Sequence, residues 1–169
     1  MINSIKILYD PKVDEKEVQA ISTVIEEIYQ IEVASSTIFK IKKAAYNKKR
    51  KQYNGQKLLN ELIDEENLEF FFWIIKDDIY VPVMNFVFGL ATQFCGAIVS
   101  FYRLESLEMK IKESVHECGH ILGLGHCTNL CVMQYSHNLQ EAIEKPSSLC
   151  SECENKIKEN KRNFEPNKD

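Results

Sequence analysis

A chain of 169 residues is long enough for one domain with a real core and too short for two full ones. Its 21 Lys and Arg against 25 Asp and Glu give a formal net charge of −4, so no global basic field argues for nucleic acid. The longest apolar runs are interrupted by polar residues and fall short of a membrane span, and Met1 to Lys6 lacks a charged-then-apolar leader pattern. The composition therefore reads as a cytoplasmic protein with neither nucleic acid nor membrane as a partner, and a monomer is the expectation.

Ile2 to Tyr9 alternates as a first strand with Ile5, Ile7 and Tyr9 on one face. Asp10-Pro11 ends it, with Asp10 as the expected N-cap and Pro11 at the first helical position. From Val13 to Tyr29 the apolar positions Val18, Ile21, Val24, Ile25 and Ile28 follow helical spacing, which predicts an amphipathic helix lying on a sheet. Ile31 to Phe39 returns to extended spacing. Lys40 to Gln52 is dense in Lys and Arg and reads as a solvated connection or short strand. Gly55 to Leu62 predicts a second helix, capped by Asn54, with Leu58, Leu59 and Leu62 inward. Glu69 to Ile75, Phe- and Trp-rich, is a buried central strand, closed by Asp77-Asp78. Asn85 to Ala91 and Gly96 to Tyr102 are two further strands, and Gly89 to Gly96 is the candidate rim of a cleft where an extended peptide could pair. The order β-α-β-α-β-β-β-α describes an α/β layer with the last helix beneath the sheet.

That helix begins near Leu104, with Ser106 as its cap, and runs into His116-Glu117-Cys118-Gly119-His120-Ile121-Leu122-Gly123-Leu124-Gly125-His126. One helical turn separates His116 from His120, so both imidazoles project from one face and can reach a single metal. Glu117 stands beside them, placed to take a proton from a water. A catalytic zinc has three protein ligands and one open position, and His126 completes the set. Gly123 can adopt the positive φ that ends the helix and turns the chain back, so that His126 reaches the same ion.

Directly after His126 come Cys127 and Cys131, then Cys150 and Cys153. Two close pairs of thiols suit a closed, structural, tetrahedral zinc that would tie a tail of low apolar content to the domain. A redox pair at Cys150 and Cys153, or four buried free thiols, are the alternatives. Cys95 and Cys118 read as inert buried thiols, and His137 as a surface residue.

The eleven residues from His116 to His126 resemble the long zinc signature of the metzincin metalloproteases. The chain resembles the archaemetzincins in particular, in the same motif with its adjoining cysteine, in Cys131-Val132-Met133, in the terminal Cys150-x-x-Cys153, in Asp78 to Pro82, in Asn85 to Gly89 and in Ser100 to Leu104. The likeness spans about Tyr53 to Cys153, although the two intervals around Cys131 are each one residue shorter than in the family pattern.

The resemblance implies a compact single-domain α/β metzincin fold. In it a mixed twisted sheet lies over the zinc helix, and a C-terminal segment is held by a four-cysteine zinc. Residues 1–126 would form an N-terminal subdomain and 127–169 a small C-terminal one. It implies two zinc ions per chain, one catalytic on His116, His120 and His126 and one structural on Cys127, Cys131, Cys150 and Cys153. Glu117 would be the general base of a peptidase acting on peptides or proteins. Met133 would be the methionine of the turn beneath the imidazoles, and Tyr135 stands where some metzincins place a tyrosine that ligates zinc or steadies an oxyanion. The alternative function is a catalytically weak or inactive zinc protein that uses the cleft to bind a peptide or partner.

Overall fold

The computed structural model describes residues 4–64 and 70–163. Ile2 and Glu69, expected to open two of the strands, lie outside these ranges. A five-stranded sheet forms from β1 (Ser4–Tyr9), β2 (Glu32–Ile38), β5 (Phe71–Ile75), β7 (Gly89–Thr92) and β8 (Gly96–Ser100), in the order β2-β1-β5-β8-β7. The pairs β1–β2, β1–β5 and β5–β8 are parallel, and only the edge strand β7 runs antiparallel to its neighbour. A smaller sheet joins β3 (Tyr46–Asn47), β4 (Gln52–Asn54) and β6 (Ile79–Tyr80).

The central strand is apolar at every position because both of its faces are covered. Phe72 and Ile74 join Ile5, Ile7 and Tyr9 in the core beneath α1 (Glu15–Tyr29) and α3 (Leu107–Ile121). Phe71, Trp73 and Ile75 face the other way, onto Leu58, Leu59 and Leu62 of α2 (Gly55–Asp64). The expected α/β architecture is thus a sheet sandwiched between helices. After His126 the chain rejoins the first core through Cys131, Val132 and Met133, through Ala142 of α4 (Leu139–Glu144), and through Cys153 and Ile157 of α5 (Ser151–Asn163). Among the described residues no helix is long and apolar enough to cross a membrane.

Two expectations are corrected. The cap of α1 is Asp14, whose carboxylate accepts the Lys16 amide. Asp10 instead closes a turn, accepting the Lys12 amide on Oδ1 and the Val13 amide on its carbonyl. The strand expected over Asn85 to Ala91 begins only at Gly89, its first half being a loop with one bridge, Val87 to Ile79. Residues 40–52, read as a solvated connection or short strand, carry a 3-10 turn at Lys43–Ala45 and then the short-stranded β3–β4 hairpin. Helix α4, for which no element was expected, follows Asn138, whose side chain accepts the Glu141 amide. Asn54 does cap α2, by accepting the Lys57 amide, and Ser106 caps α3 through the Met109 amide.

Candidate active site

Helix α3 carries His116, Glu117 and His120 on its last two turns and stops where Gly123 takes φ +84°. A side chain there would be strained by the backbone and would meet the Phe94 ring, so glycine alone permits the turn that returns His126 to the other two histidines. The three imidazoles lie with ring centroids 4.7–5.4 Å apart, and one donor atom from each falls within 4.8 Å of the others.

Two of the rings are oriented by backbone. His116 Nδ1 donates to the Val132 carbonyl at 2.9 Å, and His120 Nδ1 donates to the Leu124 carbonyl at 2.8 Å. Burial lowers the pKa of all three histidines, so the imidazoles are neutral and the Nε2 atoms of His116 and His120 carry lone pairs. Those two atoms stand 3.2 Å apart with no proton to share. Two nitrogens each about 2.0–2.1 Å from one tetrahedral zinc are separated by about 3.3–3.4 Å. The donor set therefore fits zinc in both chemistry and spacing.

Glu117 is buried, and among the described residues its Oε2 has no hydrogen-bond partner. Burial, reinforced by Glu113 and opposed by Lys145, raises its carboxyl to about 8. It packs against the edge strand so closely that a Cβ at Gly89 would come within 2.5 Å of its Cγ. Beneath the helix, fully buried Met133 sets its sulfur against Gly119. Tyr135 lays its ring 4.9 Å from that of His126, and its hydroxyl faces Met84 Sδ at 3.7 Å. It is 41 % exposed. A cleft of about 880 Å³ opens over these groups, with Pro82 to Ala91 along one wall and Tyr135 to His137 along the other. Its rim includes β7, as expected from Gly89 to Gly96, and His137 is exposed but meets the Tyr135 ring edge to face.

The four cysteines converge as well, with thiol sulfurs within 4.8 Å of one another. Cys127 and Cys150 Sγ are 3.8 Å apart, which matches the roughly 3.8 Å between two sulfurs each about 2.3 Å from one tetrahedral zinc. The Cys153 amide, helped by Asn129, brings the Cys150 thiol down to about 6, while burial raises those of Cys131 and Cys153. Cys118 is buried in the main core, as expected, and Cys95 is half-buried against the α2 side.

Sequence reasoning missed one pair. Glu113 and Lys145 meet at 2.7 Å with their side chains 4 % and 2 % exposed, in the cleft wall beside Glu117. Glu113 lies one turn before Glu117 on the zinc helix, a readable signal of a carboxylate on the buried face. Nothing local pointed to Lys145.

The sequence pattern of peptidase family M54 matches residues 12–159. The chain belongs to peptidase family M54, the archaemetzincins. The family consists of zinc metallopeptidases, and the expected membership and activity class hold. The chain is 49 % identical to the archaemetzincin of Nanoarchaeum equitans over 117 residues, 69 % of each protein. It superposes on the archaemetzincin of Methanopyrus kandleri with a TM-score of 0.85 at 31 % identity, covering 94 % of this chain and 95 % of that one. On the malonate complex of the Archaeoglobus fulgidus archaemetzincin the TM-score is 0.82 at 34 % identity, over 90 % and 99 % of the two chains. The expected metzincin-like fold is the family's fold.

Proposed function

We propose that the chain hydrolyses peptide bonds with two zinc ions, a catalytic one held by His116, His120 and His126 and a structural one held by Cys127, Cys131, Cys150 and Cys153. The observation that carries this reading is the facing of two neutral Nε2 atoms at 3.2 Å, each ring locked by a carbonyl behind it. Zinc bound there supplies Lewis acidity, lowering the pKa of a water and polarising a carbonyl oxygen. Glu117 is the general base. Its carboxylate, with Oε2 free of any other partner among the described residues, would accept the water's proton and return it to the departing amine.

Substrate lies extended against β7, whose outer edge pairs with no strand among the described residues. Met133 provides the apolar floor beneath the imidazoles, and Tyr135, over His126, supports the oxyanion with its hydroxyl. Residues 1–126 act as one subdomain and 127–169 as a smaller one fastened by the cysteine zinc. The cysteines are thiols in ligand array, in keeping with a cytoplasmic monomer.

Replacing Glu117 tests the mechanism. Glu117→Gln should retain wild-type zinc and lose at least about 10²–10⁴-fold in turnover of a peptide library. Normal turnover in that variant refutes the mechanism, and a wild type that binds peptides without cleaving them favours the binding-protein alternative.

A further inference from the structure

The 13 residues from Lys40 to Gln52 hold seven of the chain's 21 basic residues and none of its 25 acidic ones. In an acidic protein this is a sharp local excess, and the fold presents it outward. Lys48, Lys49, Arg50 and Lys51 form the exposed turn between β3 and β4. Asn47 builds the turn by accepting the Lys49 and Arg50 amides, which uses backbone and leaves the lysine side chains in solvent. Among the described residues no ion pair engages Lys48, Lys49 or Lys51.

Arg50 ties this turn to the cleft. Its guanidinium donates to the carbonyls of Met84 and Asn85, at 3.2 and 3.0 Å, and lies over the Tyr80 ring. Gln52 donates to the same Asn85 carbonyl. Met84 and Asn85 line the cleft, so the basic turn is fixed at the cleft's rim and not on a remote face. A solvated charge cluster needs no such attachment. Four adjacent cations at the entrance of a groove produce a positive potential that raises the local concentration of anionic chains and orients them as they enter.

We propose that the β3–β4 turn is an electrostatic docking site for acidic polypeptide segments flanking the cleaved bond. This rests on the peptidase reading and narrows its substrates to proteins or peptides carrying Asp or Glu runs beside the segment in the cleft. A polypeptide is favoured over nucleic acid because the turn adjoins a groove that also holds the three histidines and Glu117.

The test compares two peptides of one length, with a common central sequence flanked by glutamates in one and glutamines in the other. The proteins are wild type, Lys48→Glu/Lys49→Glu, and a control of equal charge change, Lys156→Glu/Lys158→Glu on α5. In wild type the kcat/KM ratio of acidic to neutral peptide should exceed one by about tenfold at low salt, and it should collapse near 1 M salt, where the Debye length is about 3 Å. The turn variant should lose the preference and the α5 control should keep it. Equal ratios in both variants overturn the proposal. Fluorescence anisotropy of the labelled acidic peptide decides the same question without turnover, so the docking site is tested even if wild type cleaves neither peptide. Tighter binding of a single-stranded RNA of matched charge at the turn would also overturn it.

Discussion

Substituting Gly89 by alanine probes how the edge strand sets the Glu117 carboxylate, the proposed general base. Gly89 is not among the residues of positive φ, so alanine carries no backbone penalty there. The whole effect falls on Glu117, whose Cγ, Cδ and Oε1 would lie 2.5, 2.6 and 2.6 Å from the new Cβ. Carbon atoms in favourable contact stand about 3.5–4.0 Å apart, so the carboxylate must retreat by about 1 Å. Overpacking of this kind costs about 1–3 kcal/mol in stability. A displacement of about 1 Å in a catalytic group costs about 10²-fold in rate. Gly89→Ala should therefore keep its zinc, since the histidines are oriented by Val132 and Leu124 and not by β7, and lose about 10²-fold in kcat. Gly96→Ala is the control. Its Cβ would meet the Phe71 ring at 2.3 Å, within the sheet, so it should lower the melting temperature while kcat per folded molecule holds. Measured by zinc content, thermal melts and peptide turnover, a Gly89→Ala enzyme with wild-type kcat refutes this account of Glu117.

The buried Glu113–Lys145 pair and the cysteine cluster give two further tests. Lys145→Met alone should destabilise the fold by about 3–5 kcal/mol in urea unfolding, because it strands a buried carboxylate, while Lys145→Met with Glu113→Leu should recover most of that loss. Equal stability of the single and double variants would show that the pair is not coupled. Cys150→Ser should lower metal content from two zinc ions per chain to one and His120→Ala should do the same by the other ion. A Cys150→Ser protein that still holds two would remove the cysteine site from the proposal.

The helix of His116, Glu117 and His120 was legible because its chemistry is written in local spacing. Two histidines four apart, a carboxylate between them and a glycine after one more turn all act through helical geometry, and Gly123 at φ +84° has the conformation that spacing required. The central strand was legible for a similar reason, since five consecutive buried residues leave no polar face to mistake. Capping was read at the wrong aspartate because Asp10 and Asp14 both precede apolar periodicity. The choice turned on whether Pro11 opened the helix or a turn, and it opened a turn. Strands β3 and β4, two and three residues long, are too short for alternation to register. The approach of Gly89 to Glu117 and the pairing of Lys145 were invisible for a different reason. Their partners, Glu117 and Glu113, lie 28 and 32 positions away, and only the folded chain brings them together.

The two clusters of ligands are one mechanical unit. The Cys127 amide, next to the third histidine, donates to the Met133 carbonyl, and the carbonyl that orients His116 belongs to Val132, beside Cys131. Val132 in turn donates its amide to Ser148, and the Cys150 amide points to the Cys131 sulfur at 3.3 Å. Yet Cys153 and Ile157 are the only residues α5 buries among those described, worth a few kcal/mol at about 1.5–3 kcal/mol per large apolar side chain. A structural zinc contributes about 10–16 kcal/mol of binding free energy to the folded state. With zinc on the four thiols, as proposed, that ion outweighs the apolar contacts in holding the tail. The segment whose Val132 carbonyl orients His116 is then braced by that ion, while Gly123 and the Leu124 carbonyl still hold the histidine site together when it is lost.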